Sequence, residues 1–581
     1  MNRRALLIMI VLCLIACLPI RSADLPVVGI ANKAAGDPIM TTARNSFAFR
    51  VFGRVESSGL TTDRFVVDDG SGKVRVVAPG HLANAGCYVS ATGTLDPSTT
   101  PPTLTGASTD VVLIGSCIAP PIISVNDFPN YRVFQRTIGG ASKSISITGT
   151  CSNANWSRID ARIVRQSGGA PVVDWTTIDS TPSAGTFSGS LTVPQGGWYR
   201  IEVRACDSLG RVVSAASSAN KWGVGMIILC IGQSNMVGRA APPYTTASDL
   251  AALYSNAGVW EHLADPWDRG SPAGAIDGDS DVGGSMIPAL ANALLQTYSF
   301  PIAFVPCARN GSPLYVRPGN YGWSYRNPSN HYDTSTLYGQ SITKAQNAGG
   351  VELIVMHQGE RDLLDGRSEA QYEADFATMI GNYRQDLRPG IPIFICQLGT
   401  VGLGSDSGVV GIRNAQRDLD NGTNVLMGAT AMDLARSDEW HYTGPSLNVL
   451  GGRLANATKY YFGNSSYYRG PSISSARFSD GNRNQVIVTL SHRGGTDISP
   501  ASGITGFEVF DNGSPVGITS AVRHSSNAVR LALSHSISSS HTATLRYLYG
   551  MTPNVSGLVR DNSPLALPLE NTAAPITIAG P

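Results

Sequence analysis

Met226 to Arg239 reads MIILCIGQSNMVGR, six consecutive apolar residues that run out into Gly232-Gln233-Ser234-Asn235. An unbroken apolar run of this length, bounded by glycine, fits a strand buried on both faces of a parallel sheet. Its sharp stop places Ser234 at the carboxyl end of that strand, where open α/β sheets keep their chemistry. A serine hydroxyl is a poor nucleophile unless a histidine takes its proton and fixed N–H donors receive the oxyanion. The rest of the chain must therefore supply both.

Val351 to Asp362, VELIVMHQGERD, repeats the pattern: a short apolar strand, then the polar cluster His357-Gln358-Gly359-Glu360. Pro301 to Gly311, PIAFVPCARNG, is another apolar strand ending in a small-residue turn, and Gly311 can bring a backbone N–H close to a reacting carbonyl. Ala431 to His441, AMDLARSDEWH, closes with Asp438 and His441 three residues apart. An aspartate so placed can accept the Nδ1 proton of the histidine while Nε2 faces a serine. Taken singly, each motif has a plainer reading. G-x-S is a common turn, His357 fits a core histidine at a strand end, and Asp438 fits a turn cap. Joint occurrence at strand ends of one domain-length segment favours chemistry. Met236 stands where a G-x-S-x-G elbow needs its second glycine, which argues against an α/β-hydrolase proper.

In that order, GQSNM at 232–236, HQGE at 357–360 and the D-x-x-H pair at 438–441 resemble the SGNH (GDSL-like) hydrolases. The nearest branch is that of sialate O-acetylesterases and of plant and bacterial acetylxylan esterases. The resemblance implies Ser234 as nucleophile, His441 as general base and acid, and Asp438 as its orienting carboxylate. It implies an oxyanion hole of the Ser234 N–H, the Gly311 N–H and the Gln358 side-chain amide. Gln358 is a departure, since the wider superfamily has an asparagine in this block. His357 and Glu360 are then supporting residues that orient a neighbour. Trp323, Tyr325 and Trp440 are candidates for sugar stacking at the substrate rim, with structural packing an equal alternative for each. The implied reaction is removal of acetyl groups from an acetylated glycan or sialic acid, with no metal or organic cofactor. Acetylxylan or another acetylated polysaccharide is the alternative substrate. A non-catalytic glycan-binding or adhesion protein is the rival of another class.

Around these motifs, residues 223–463 alternate strands at 226–231, 301–306, 351–356, 391–397 and 424–430 with helical patterns. The clearest helices are Met286 to Tyr298, Glu369 to Leu387 and Ser446 to Tyr461. This alternation predicts a parallel sheet wrapped by helices, a flavodoxin-like α/β three-layer sandwich, which is also the SGNH fold. Asp277 to Asp281 has a calcium-loop beginning, but Pro288 occupies the twelfth position where the loop needs a glutamate, so it reads as a polar loop.

The flanks read as all-β modules, and the whole chain as multidomain. Residues 40–116 carry short β-prone runs, with FVVDDGSGKVRVV as a hairpin bent at Asp69-Gly70, and resemble an OB-like barrel. Residues 118–222 suggest an immunoglobulin- or fibronectin-like sandwich; Trp156, Trp175 and Trp198 offer a sugar-binding face, although core filling suits at least two of them better. Residues 468–575 return to short strands and read as a C-terminal β-sandwich.

At 581 residues the chain is too long for one core, and a net charge of +1 without basic runs gives nucleic acid no electrostatic footing. Met1 to Ala23 has the basic start, apolar run and small-residue end of a signal peptide, which predicts a secreted or periplasmic protein. Leu14-Ile15-Ala16-Cys17 also resembles a bacterial lipobox, with Cys17 as a lipid anchor point. No second long apolar stretch follows, so no transmembrane span is expected after cleavage. Of nine cysteines, Cys13 and Cys17 fall in the leader. Cys87 with Cys117, and Cys151 with Cys206, are pairs that an exported chain can oxidise. Cys230, Cys307 and Cys396 read as buried small hydrophobes.

Overall fold

Strand Trp222–Gly232 (β1) is buried at every residue and sits at the centre of the molecule. Its side chains alternate between two cores: Ile227, Leu229 and Ile231 face one, Met226, Ile228 and Cys230 the other. Burying each such aliphatic side chain contributes about 1.5–3 kcal/mol, and only a strand covered on both faces collects that from consecutive residues. The computed structural model describes residues 25–43, 46–114, 121–206, 208, 210, 212–270, 282–317 and 322–581. The leader 1–23 with Cys17, the partner cysteine Cys117 and the loop Asp277 to Asp281 lie outside the described residues.

Parallel to β1 run Ala251–Tyr254 (β2), Ile302–Ala308 (β3), Leu353–His357 (β4), Ile393–Gln397 (β5) and Val425–Thr430 (β6), in the order β2-β3-β1-β4-β5-β6. The chain leaves β1 for β3 on one side and β4 on the other, so the carboxyl end of β1 opens at a topological switch point. Following β1 is the single turn Ser234–Val237 (α1). One face of the sheet is covered by helices Ile287–Leu295 (α2) and Gly444–Tyr461 (α7), which contribute Leu290, Leu294, Leu447, Leu450 and Leu454. The other is covered by Leu337–Asn347 (α3), Glu369–Asp386 (α5) and Asp406–Asp418 (α6), through Ile342, Phe376, Met379 and Ile412. A short helix, Glu360–Leu364 (α4), follows β4. Ser or Thr side chains start the longer ones: Thr336, Ser368, Ser405 and Thr443 each accept an N–H of the first turn, and Ser368 with Gln371 forms a capping box.

Three further cores flank this one. Five strands, Ala48–Val55, Arg64–Asp68, Lys73–Val77, Thr103–Thr105 and Tyr88–Asp96, pair in that order and close back on the first, around Phe49, Phe65, Val76 and Leu104. The hairpin read at Asp69-Gly70 is present, with Asp68 opposite Lys73. Next, a sheet of Ser142–Cys151 and its neighbours packs over Arg158–Arg165 and Gly196–Cys206 around Ile147, Phe187 and Trp222. Trp156 is buried there, Trp198 packs instead into the central core, and the Trp175 ring lies 4.6 and 4.3 Å from the guanidinium groups of Arg162 and Arg204, so the three form no open face. Cys87 is disulfide-bonded, but Cys151 and Cys206 are free and buried, against the expected pair. Cys206 turns its thiol toward Asp160 Oδ2, 3.6 Å away, while Cys151 pairs in the opposite sheet against Gly185 and Ile123. Cys230, Cys307 and Cys396 are buried thiols.

Two of the flanking units are welded to the central one. Trp222 to Gly225, the first part of β1, pairs with Arg132–Gln135 of the preceding unit, and Gln135 Oε1 accepts the Ile227 N–H at 2.8 Å. The boundary at 223 thus falls inside a strand. C-terminally, two four-stranded sheets enclose Phe478, Val509, Leu531 and Tyr547. Buried Asp433 ties this unit on: Arg453 of α7 donates to both its oxygens at 2.7 and 2.8 Å, and Arg560 of the C-terminal unit donates to it as well. Among the described residues no helix is long and apolar enough to cross a membrane.

Candidate active site

Gly232 ends β1 with φ +141°, and a Cβ there would lie 2.0 Å from the His357 carbonyl oxygen. Only glycine lets the first and third motif strands approach so closely and then turn. The turn presents Ser234 at the start of α1, in a pocket of about 240 Å³ lined by Gln233, Ser234, Arg239, Asn310, Gly311, Glu360, Arg361, Leu364, Trp440 and His441. Four separated stretches of sequence converge here because β1, β3 and β4 are adjacent and end together. A larger cavity of about 800 Å³, beside Phe507, Arg546 and Tyr549 on the C-terminal unit, has no histidine or cysteine in its lining.

His441 Nδ1 lies 2.7 Å from Asp438 Oδ2, while Asp438 Oδ1 accepts the backbone N–H groups of Trp440 and His441 at 2.7 and 2.8 Å. Partial burial works against the Asp438 charge, but the His441 ring and these N–H donors outweigh it and hold the carboxyl at about 2. Asp438 is therefore an anion at neutral pH, fixed as the partner of His441 Nδ1. Neither the Ser234 N–H nor the Gly311 N–H is spent on an acceptor among the described residues. Such an arrangement of serine, oriented imidazole and backbone donors can carry out acyl transfer.

Gln358 does not join it. Its side chain is fully buried behind the pocket wall, where Nε2 donates to the Asp362 carboxylate and to the Ser312 carbonyl at 3.3 Å, and Oε1 accepts Tyr372 Oη–H at 3.0 Å. Gly359 then redirects the chain so that Glu360 reaches the pocket in its place. Trp323 is likewise no rim residue: it is buried and donates Nε1–H to Ser312 Oγ at 2.9 Å. Tyr325 is not in the pocket lining, whereas Trp440 is.

Two positions the motifs left without a role hold the loops together. Asn235, 1 % exposed, donates Nδ2–H to Glu360 Oε1 at 2.7 Å and to the Trp440 carbonyl at 3.1 Å, and accepts the Tyr442 N–H at 3.2 Å. Gln233 Oε1 accepts the Arg361 N–H at 3.2 Å. The only sequence signal for Asn235 is its adjacency to Ser234. His357 is fully buried, edge-on to Tyr442, with Nδ1 3.6 Å from Glu360 Oε1; burial lowers its pKa, so the ring is neutral. Asp362 is pushed up to about 6, burial exceeding the help of the Leu314 N–H and Gln358.

Residues 224–460 match the family model described as carbohydrate esterase, sialic acid-specific acetylesterase. A protein of Arabidopsis thaliana named probable carbohydrate esterase is 28% identical over 252 residues, 40% of this chain and 89% of the plant protein. The crystal structure of a carbohydrate acetylesterase from Xanthomonas citri superposes with a TM-score of 0.50 at 18% identity, covering 76% of this chain and 97% of its own, which shows a likeness of fold. The protein is thus an esterase, and its residues 224–460 are similar to the carbohydrate esterases described as sialic acid-specific acetylesterases.

Proposed function

We propose that the chain is an exported carbohydrate O-acetylesterase that works through a Ser234–His441–Asp438 acyl-enzyme. The observation that carries this is His441, paired with Asp438 at 2.7 Å, on the wall of the same small pocket as Ser234. His441 Nε2 takes the Ser234 hydroxyl proton as Oγ attacks the acetyl carbonyl. The oxyanion of the tetrahedral intermediate is received by the N–H groups of Ser234 and Gly311. Collapse breaks the ester C–O bond, and the sugar oxygen leaves with the proton from His441. Water then repeats the cycle and acetate departs, regenerating Ser234. The strand order 2-1-3-4-5 of β1, β3, β4, β5 and β6 supports reading the domain as a flavodoxin-like SGNH core.

Export is supported by the leader pattern of Met1 to Ala23 and by the disulfide at Cys87. The five-stranded ring supports the OB-like reading of 40–116, and the facing sheets support sandwiches at 118–222 and 468–575. O-acetylated sialic acid is the first substrate and acetylated xylan the second. The test is acetate release from both and from a small aryl acetate, by wild type and by Ser234→Ala. Loss of release by several orders of magnitude in the variant is expected; equal release by both proteins would refute the serine mechanism.

A further inference from the structure

A catalytic pocket of about 240 Å³ falls below the roughly 300–1,000 Å³ of pockets that enclose ligand-sized molecules, so it takes an acetyl group but not the sugar that carries it. The sugar must lie beyond its rim. At Arg239 the pocket meets a second trench of about 630 Å³, whose lining shares that residue and adds Pro243, Tyr244, Asp265, Ser437 and Asn448. The D-x-x-H loop is the ridge between them: Trp440 and His441 line the pocket, Ser437 and Thr443 the trench.

We propose that this trench is the leaving-group subsite, in which a pyranose unit of the acetylated glycan stacks on Tyr244 and hydrogen-bonds Asn448. The inference rests on the acetylesterase reading above and assigns the sugar a place within it. Tyr244 remains 37% exposed, although it is a large ring within a cleft. It is seated: the ring lies over Gly284, where a Cβ would come within 3.0 Å of Cδ1, so a side chain at 284 would displace it. A half-open aromatic face held in one orientation suits the C–H face of a pyranose, which needs an apolar platform beside polar groups. One such polar group is Asn448, whose Oδ1 accepts Thr245 Oγ–H at 2.8 Å, turning its two amide hydrogens to a ligand hydroxyl. Together these place a stacking surface and hydroxyl-binding groups on the open side of the His441 loop, where the alcohol oxygen departs.

The experiment compares wild type, Tyr244→Ala and Asn448→Ala on acetylated xylo-oligosaccharide, O-acetylated sialic acid and a small aryl acetate. The ratio of kcat/KM for the sugar ester to that for the aryl acetate should fall at least about tenfold in Tyr244→Ala, through KM, and severalfold in Asn448→Ala. As a second readout, free xylo-oligosaccharide or sialic acid should inhibit aryl acetate turnover at a concentration about tenfold higher for Tyr244→Ala than for wild type. An unchanged ratio with unchanged inhibition, in an active enzyme, would overturn the subsite alone. A uniform loss on all esters, in a variant that keeps the wild-type melting temperature, would do the same, since the effect would then not be specific to the sugar. A wild type inert on every ester would overturn the acetylesterase reading and this one together.

Discussion

Replacing Asn235 with alanine should destabilise the central domain by about 3–5 kcal/mol, more than removal of a core methyl group and from a side chain of modest size. The magnitude follows from its three hydrogen bonds. The bond to the Glu360 carboxylate, at 2.7 Å, is charge-assisted and contributes about 1.5–3 kcal/mol, while those with Trp440 O and Tyr442 N–H contribute about 1 kcal/mol each. Glu360 is 3 % exposed, and its second oxygen, Oε2, has no hydrogen-bond partner among the described residues. Removing Asn235 thus leaves a buried carboxylate without a donor, the costly side of the hydrogen-bond asymmetry. In a unit of this size each kcal/mol moves the midpoint by about 2–4 °C, so calorimetry of the full chain should show the central transition about 6–20 °C lower. The Glu360→Gln background separates the charge from the packing. There the loss on Asn235→Ala should shrink by at least about 1 kcal/mol, because no buried charge is orphaned. A midpoint within about 2 °C of wild type, or strict additivity in the double variant, would refute the reasoning.

Asp438→Asn should keep the backbone hydrogen bonds of the loop and lower kcat by about 10³–10⁴-fold, read by aryl acetate turnover, because the Nδ1–H of His441 loses its anion. The Asp438 carboxyl is held at about 2 against 3.8 unperturbed, so its stabilisation is full above about pH 4 and lost as pH falls through 2; the difference in melting temperature between wild type and Asp438→Asn should be flat above pH 4 and close below it. For Asp362 the sign is opposite. With the folded carboxyl at about 6 and the unfolded one near 3.8, the native state holds the extra proton, and stability falls as pH rises from about 4 to 6. Asp362→Asn should flatten that slope, which is on the order of 3 kcal/mol over the window, and a slope retained in the variant would assign it to other groups. Gly232→Ala should cost about 3 kcal/mol or more and abolish activity, since its Cβ meets the His357 carbonyl at 2.0 Å; a soluble, active variant would show that the turn can relax.

Why some of this was legible in the sequence and some was not comes down to which residues answer to periodicity and which to neighbours far along the chain. Runs such as MIILCI and LIVMH announce buried strands because only a doubly covered strand accepts uninterrupted apolar residues, and the helix read from Glu369 starts there, capped by Ser368, whereas the one read from Ser446 starts two residues earlier, capped by Thr443. The strand Ala251–Tyr254 is short and the helix Leu337–Asn347 is largely polar, so their burial comes from the sheet they pack on and leaves little pattern behind, whereas Asp406–Asp418 carries an apolar face of Val409, Val410, Ile412 and Ala415 that the sequence reading passed over. Cys151 and Cys206 read as a pair from spacing in a β module, but spacing carries no information on which way a thiol points, and Asp160 decides that for Cys206.

The site divides along the same line. Asp438 and His441 are three residues apart, and a turn closed by Asp438 Oδ1 on two successive N–H groups is a local event, so the pair can be inferred from four residues. Gln358 shows the opposite case. Its place after a strand is what a pocket donor would have, yet the direction of its amide is fixed by Asp362, Ser312 and Tyr372, which lie on three other segments. Asn235 is subject to the same rule with the opposite result: beside the serine it looks incidental, and only contacts with Glu360, Trp440 and Tyr442, more than a hundred residues away, give it work. Strand ends can therefore be read as the address of a site, because parallel strands must deliver their carboxyl ends to one edge. The side chains that lock its geometry are those whose partners arrive from the other strands, and they have to be sought in the hydrogen bonds between motifs rather than inside them.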